Sequence, residues 1–362
     1  MIVDNKKICQ TLATASAFTM SSRENPLHDL LSCVRIVKRG KSNNINIFAT
    51  NLATTYISNG VNTHDNSDDN IDIVIPPNKL RDAIMSADMS LVQISDDNNF
   101  LTIDIGNGGK TKIKKVATSA DIVLPEYSID NIDVIAECDY SALYSSLYDI
   151  TACAGKSIFF NVSDNAIALS ANNNVSLAES VVNATTYTNC QFAIDKYFAP
   201  YITKAQSTAR LRLNDRVCVI ETDSFAVAVQ RTNENLIDYS NFLESMQKML
   251  VANIDNTENL SKALTACGLF SRVAVITFRD NSIYIESGNF SFEEESIGKY
   301  RNTIECETTS ADEHRILISL DTVIGHIVKN SKKIKMYYHQ DINFAIIDTD
   351  YSRFIIALMK EV

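Results

Sequence analysis

Three stretches decide how this chain folds: INIFATNLATTYIS at Ile45–Ser58, AIALSANNNVSLAES at Ala166–Ser180 and SIYIESGNFSFEEES at Ser282–Ser296. In each, an apolar run alternates with polar residues, enters a short polar turn and leaves as a second run, the pattern of paired antiparallel strands. If Ile47, Leu169 and Ile285 are equivalent, the copies lie 122 and 116 residues apart. Recurrence at that spacing predicts three copies of one domain.

The flanking sequence repeats in the same order. Helix-compatible runs precede the three stretches, at Lys6–Ala17, Ser141–Ala154 and Asn259–Phe270. A second helix follows each, in PPNKLRDAIMSAD from Pro76, IDKYFAPYITKAQS from Ile194 and SLDTVIGHIVKNSKK from Ser319. Hairpins come next, in SLVQISDDNNFLTIDI, ARLRLNDRVCVIET and KKIKMYYHQDINFAIIDT. The turn-rich segments LPEYSIDN from Leu124 and LIDYSN from Leu236 read as linkers, giving domains 1–127, 128–243 and 244–362. Strands arranged in hairpins, without βαβ alternation, make the expected class α+β, with two helices packed on antiparallel sheets in each domain.

Composition narrows the function. With 362 residues, 45% hydrophobic and 21% charged, the chain is an ordinary globular protein. No apolar run approaches the roughly 20 residues of a membrane helix, and MIVDNKKICQ lacks a secretory signal pattern, so a cytoplasmic location is expected. The eight cysteines are scattered singly, without the paired spacing of zinc or redox motifs. A net charge of -11 argues against a protein that coats nucleic acid with its whole surface, while leaving room for a local basic stripe.

Catalytic motifs are wanting. GNGGKT at Gly106 has the end of a phosphate-binding loop, but Asp104 stands where its first glycine belongs, and its strand-like flanks favour a hairpin turn. The five histidines form no metal-ligand pair, no G-x-S-x-G elbow occurs, and Glu293, Glu294 and Glu295 read as a solvated strand face. No cofactor, metal or enzymatic activity is expected.

Several of these segments together carry a family resemblance. Arg23, Pro26 and Leu27 after the first helix, then IFATNLATTYIS, IPPNKLRDAI and VLPEY, resemble the first domain of the bacterial replicative sliding clamp, the beta subunit of the DNA polymerase III holoenzyme. ALSANNNVSLAES and LIDYSNFL resemble its second domain, and ISLDTVIGHIV and FIIALM its third. The resemblance spans the chain. It implies a crescent of three clamp-type domains that closes as a homodimeric ring around duplex DNA, without sequence preference, and tethers a replicative polymerase. A clamp loader and other clamp-motif proteins are further expected partners. The alternatives are a clamp-fold peptide scaffold that does not encircle DNA, and a nucleotide-processing enzyme with an unfamiliar site.

The resemblance also places sites. Its DNA-facing helices correspond to six windows holding 12 basic and 9 acidic residues, against 21 and 35 in the remainder. Candidate phosphate contacts there are Lys6, Lys7, Lys79, Arg81, Lys196, Lys204, Lys262, Lys329, Lys332 and Lys333, with Arg23 in the loop SSRENP and Lys156 in CAGKS. Contacts to the backbone alone carry no sequence information and permit sliding. The partner-peptide pocket maps onto Val175, Leu177, Ile237, Asn241, Phe242, Ile342, Phe344, Ile355, Ile356, Leu358 and Met359. Asn173, Asn174, Val175 and Ser176 replace the family's Gly-His-Arg wording there, and LMKEV lacks its proline. Ring closure is assigned to the edge strand TKIKKV, with Ile113 pointing outward, facing Leu269 and Phe270 at the end of LSKALTACGLF.

Overall fold

The structure, a computed structural model, describes residues 1–20, 27–40, 42–64, 70–97, 99–116, 124, 128–173, 175–201, 207–234, 249–287, 300–308, 313–320, 331–339 and 344–359. The first third of the chain forms β1 (Ile2–Asp4), α1 (Asn5–Ser16), α2 (His28–Leu31), β2 (Val34–Lys38), β3 (Asn44–Thr50), β4 (Thr54–Ser58), β5 (Val61–Asn62), β6 (Ile71–Ile75), α3 (Pro77–Met85), β7 (Leu91–Asp97), β8 (Phe100–Gly106) and β9 (Gly109–Lys114). The second forms β10 (Asp133–Asp139), α4 (Tyr140–Thr151), β11 (Ser157–Ser163), β12 (Ala166–Asn172), β13 (Ser176–Thr186), β14 (Cys190–Asp195), a 3-10 turn (Lys196–Tyr201), β15 (Thr208–Leu213), β16 (Val217–Glu221) and β17 (Phe225–Thr232). The third forms β18 (Met249–Ile254), α5 (Thr257–Gly268), β19 (Val273–Arg279), β20 (Ser282–Ser287), β21 (Arg301–Glu305), β22 (Glu307–Thr308), β23 (His314–Ser319), β24 (Ile334–His339), β25 (Phe344–Asp348) and β26 (Ser352–Ala357).

The hydrogen-bond ladders repeat three times. Each third opens with a strand that pairs antiparallel with a later strand of the same third: β1 with β7, β10 with β15, β18 with β24. Next come the meanders β2–β3–β4, β11–β12–β13 and β19–β20–β21. The first strand of each also pairs with β6, β14 or β23. The closing meanders are β7–β8–β9, β15–β16–β17 and β24–β25–β26.

The chain divides into two compact units, one of Met1–Tyr144, Ala184–Thr188 and Tyr197–Thr232, the other of Ser145–Asn183, Asn189–Lys196 and Asn233–Val362. The first holds an antiparallel sheet running β6–β2–β3–β4–β17–β16–β15–β10, in which β4 joins β17 from Val229↔Thr54 to Phe225↔Ser58. Its four-stranded sheet is β1–β7–β8–β9. The second unit holds β14–β11–β12–β13–β26–β25–β24–β18, in which β13 joins β26 from Ser176↔Ile356 to Ser180↔Ser352, together with the four-stranded sheet β21–β20–β19–β23. The meander strand of one third therefore pairs with the last strand of the next, twice. Among the described residues β9 and β21, the strands that would continue the series, are sheet edges.

Local chemistry explains these elements. Asp4 caps α1 by accepting the Lys7 N–H at 2.7 Å, and Ile8, Leu12 and Ala15, four and three residues apart, form its buried face. Pro77 starts α3, where its missing donor is harmless. Thr257 begins α5 because Asn256 accepts the Asn259 N–H, two residues earlier than the apolar pattern indicates. The helix expected from Ile194 is only the turn Lys196–Tyr201 within the described residues; Pro200 removes a donor there. The expected helix from Ser319 falls largely outside the described residues, as does Glu293–Glu295. GNGGKT is a hairpin turn, with Asn107 at φ 51° and Gly108 at φ 77° between paired Gly106 and Gly109.

Both faces of the β4–β17 ladder are packed. On one side Phe18, Tyr56, Phe225 and Tyr140 form a chain of rings with centroids 5.3, 5.9 and 5.7 Å apart. The other carries Val37, Phe48, Ile57, Ile132, Val219, Ala226 and Ala228.

Candidate functional site

Positive charge gathers on one helix pair. α1 and α3 pack together, with Asn5 Nδ2 donating to the Ile84 carbonyl at 3.2 Å and the Cys9 thiol 3.9 Å from the Arg81 carbonyl. The two helices hold Lys6, Lys7, Lys79 and Arg81 against a single acid, Asp82. Lys6, Lys7 and Lys79 are exposed, while Arg81 is half-buried and reaches Asp82 at 3.4 Å. By contrast α4 carries no cation, and Lys262 of α5 is paired with Glu258 at 2.6 Å. Among the described helices, the expected basic lining is thus carried by α1 and α3.

The other candidate cations are used differently. Lys156 is exposed and lies 3.7 Å from Glu234. Lys196 donates to the Ala154 carbonyl at 2.7 Å, so its ammonium anchors a loop, correcting its reading as a phosphate contact. Lys332 is exposed, and Lys333 pairs with Asp255 at 3.1 Å. Arg23, Lys204 and Lys329 lie outside the described residues.

Beside α1 is a cleft of about 430 Å³, walled by Lys7, Gln10, Thr11 and Thr14 on one side and the Ser58–Asn62 turn on the other, over Tyr56 and Phe225. The spacing of the four helix residues places them on one face.

The second unit carries an apolar face along β13, β25 and β26. Leu177, Ile346 and Ile355 are buried together, flanked by half-buried Tyr337 and Phe344. Leu177 and Ile355 are ladder partners. Val175 and Met359 stand at its margin, 47% and 39% exposed, and Leu358 is buried. Ile356 is fully buried on the opposite side of β26 from Ile355, because successive strand residues alternate. That removes Ile356 from the predicted pocket. Ile237, Asn241, Phe242 and Ile342 lie outside the described residues. Ile346 and Tyr337 were not foreseen, though Ile346 follows Phe344 at the strand period of two and was within reach of the same reasoning.

Ile113 also departs from expectation. It is buried opposite Leu101 within its own sheet, while Lys110, Lys112 and Lys114 of β9 are exposed. Alternation puts the lysines on the other side of the strand, so the outward group is basic and not apolar. Leu269 and Phe270 are 77% and 40% exposed, and Phe270 stacks on Tyr300 at 6.3 Å, next to the start of β21.

Neither family models nor curated protein sequences match this chain. Solved structures do, over its full length. It is similar to the DNA polymerase III beta subunit of Thermotoga maritima, with a TM-score of 0.81, 14% identity and coverage of 100% of this chain and 99% of that one. It is similar to the corresponding subunit of Pseudomonas aeruginosa, with TM-score 0.78, 14% identity and 100% of both chains covered. The DNA polymerase sliding clamp of Bacillus subtilis gives 0.79 and 13%, covering 100% and 99%. The chain has the sliding-clamp fold. Within that fold, the apolar face and the basic helix pair are separate features of different units, and among the described residues no cluster of His, Cys, Asp and Glu is arranged to hold a metal.

Proposed function

We propose that the protein is a DNA polymerase processivity factor, a sliding clamp of three domains (1–127, 128–243 and 244–362) that encircles duplex DNA as a homodimer in the cytoplasm. It would act by topological linkage, without catalysis, and present the Leu177–Ile355 face to apolar peptides of a replicative polymerase, a clamp loader and other partners.

The observation that carries this reading is the twice-repeated strand pairing that, among the described residues, leaves β9 and β21 as edges. The same pairing, made once more between two copies, joins β21 of one to β9 of the other. Head-to-tail contacts of this kind generate a ring when the rotation closes. The lysines of β9 keep a lone edge soluble until it is paired. Lys6, Lys7, Lys79 and Arg81 supply loose, sequence-independent attraction for phosphates.

Retention on DNA tests the mechanism. On closed circular DNA the loaded protein is expected to persist as salt is raised, whereas on linear DNA it slides off the ends, because phosphate contacts alone weaken steeply with salt. Equal, salt-sensitive loss from both would refute topological linkage.

A further inference from the structure

The β4–β17 and β13–β26 ladders are built alike, yet they differ beneath one matched position. In the first, Phe225 opposes Ser58, and its ring packs between Tyr56 and Tyr140. Thr11 and Thr14 of α1 stand beside it on an open cleft. In the second, Ser352 opposes Ser180, and α4 supplies Ser146 and Asp149, one turn apart. Ser146, Asp149, Ser180 and Ser352 are all buried, at 2%, 8%, 4% and 5% exposure.

Ser352 Oγ donates to Asp149 Oδ2 at 3.2 Å. Ser180 Oγ lies 2.7 Å from the Tyr351 carbonyl and 2.8 Å from Ser146 Oγ. Its single proton goes to the carbonyl, so Ser146 donates to Ser180. A carboxyl group and three hydroxyls therefore stand where the first ladder has aromatic packing.

We propose that Asp149 is a proton-operated latch on the β13–β26 ladder: neutral, it lets the start of β26 stay packed on α4 and β13; ionised, its buried charge outweighs the stronger Ser352 bond, favours opening of that end and weakens the ladder's apolar face as a peptide site. The second half rests on the peptide-binding reading of that face. Coupling is short-range, since Ile355 follows Ser352 by three residues and Leu177 precedes Ser180 by three.

The charge environment supports this. An unpaired carboxylate under a sheet is costly in a medium of low dielectric. Burial pushes the Asp149 carboxyl up to about 6, with the Ser352 bond opposing the rise. α4 holds no other charged residue, and its other titratable groups are Tyr140, Tyr144 and Tyr148. Glu179 of β13 and Arg353 of β26 alternate to the far side of the sheet, where Arg353 forks onto Asp348. Cys153, just past α4, is buried, its thiol pushed up to about 12 and hence neutral. A carboxyl raised in the folded state contributes stability that is fully present below its ordinary 3.8 and lost as the pH rises through about 6. The latch is closed in acid.

The test compares the full chain with Asp149→Asn, using a capped apolar peptide that contains Gln and no titratable side chain. Peptide affinity is read by calorimetry from about pH 5 to about pH 7.5. Protection of the β26 amides, corrected for intrinsic exchange, and the Asp149 carboxyl resonance are followed over the same range. The expected result is affinity about tenfold weaker at the upper pH, within the usual span of coupling between sites, with β26 protection falling in step with carboxyl titration. Asp149→Asn should show neither change. Identical pH dependence in both proteins, or a carboxyl that titrates near its ordinary value, overturns the proposal. If the peptide binds neither protein at any pH, the peptide reading fails, while amide exchange and carboxyl titration still decide the latch. Those two wild-type measurements also decide it if Asp149→Asn does not fold.

Discussion

Arg35 shows how one side chain secures a domain edge. Its guanidinium is nearly buried and forks onto Asp72, with Nε–Oδ1 and Nη2–Oδ2 both at 2.8 Å, while Nη1 donates to the Leu124 carbonyl at 2.7 Å. The Arg35 hydrogen bonds hold the Asp72 carboxyl below its ordinary 3.8. A depressed carboxyl contributes stability that is present above the ordinary value and lost as the pH falls through the folded one. The Asp72 side chain is 44% exposed, so solvent screening limits the effect. Asp72→Asn is expected to cost about 1 kcal/mol at neutral pH. Denaturant unfolding should show that difference shrinking once the pH drops below about 4; a constant difference at all pH values would mean the carboxylate's charge is irrelevant. Opposite signs at Asp72 and Asp149 follow from one having a guanidinium fork and the other a single hydroxyl.

At the scale of elements, the repeat is visible in the turns. Asn51 Oδ1 accepts the N–H groups of Ala53 and Thr54 at 3.1 and 2.8 Å, and Asn173 Oδ1 accepts those of Val175 and Ser176, both at 2.8 Å. Each turn then offers a carbonyl to the adjoining last strand, Ala53 to Gln230 at 3.0 Å and Val175 to Ala357 at 2.9 Å. Asn51→Ala and Asn173→Ala should each lose about 1 to 2 kcal/mol, since two strand-end donors lose their acceptor. Amide exchange should accelerate at Ala53 and Thr54 in the first variant and at Val175 and Ser176 in the second, and unchanged exchange would show that the side chain is dispensable. This repetition was legible in the sequence because strand alternation and turn chemistry are local properties. The first two hairpin stretches and the α+β class could be read that way, whereas Leu177, Phe344 and Ile355 were placed by the family resemblance. The seam pairings could not: β4 joins β17 across some 170 residues, and nothing in ATNLATT names its partner. Ile113 misled for a related reason, as a lone apolar residue among lysines looks outward until the register with Leu101 turns it in. The polar patch around Asp149 was equally hidden, because YSSLYD reads as an ordinary helix face until Ser180 and Ser352 meet it.

For the whole molecule, the proposed ring turns on what would close β9 of one copy onto β21 of another. Ile113 is committed to its own core, so backbone pairing at the edge needs apolar support from elsewhere. Leu269, Phe270 and Tyr300 would provide it, since Phe270 stacks on Tyr300 immediately before β21 and Leu269, next to it in the chain, is exposed. Burial of each of the first two between copies would contribute roughly 1.5 to 3 kcal/mol. Because both are already exposed past the end of α5, replacing them leaves the packed face of that helix, Leu260, Ala263, Leu264 and Cys267, untouched. The double variant Leu269→Asp, Phe270→Asp is therefore expected to fold as a monomer, to bind an apolar partner peptide as the parent does, and to lose retention on circular DNA, with thermal unfolding lowered by no more than the lost association and the lost Tyr300 stack account for. Light scattering decides the matter. A variant that remains dimeric places closure elsewhere, and one that unfolds shows that the pair serves its own unit after all.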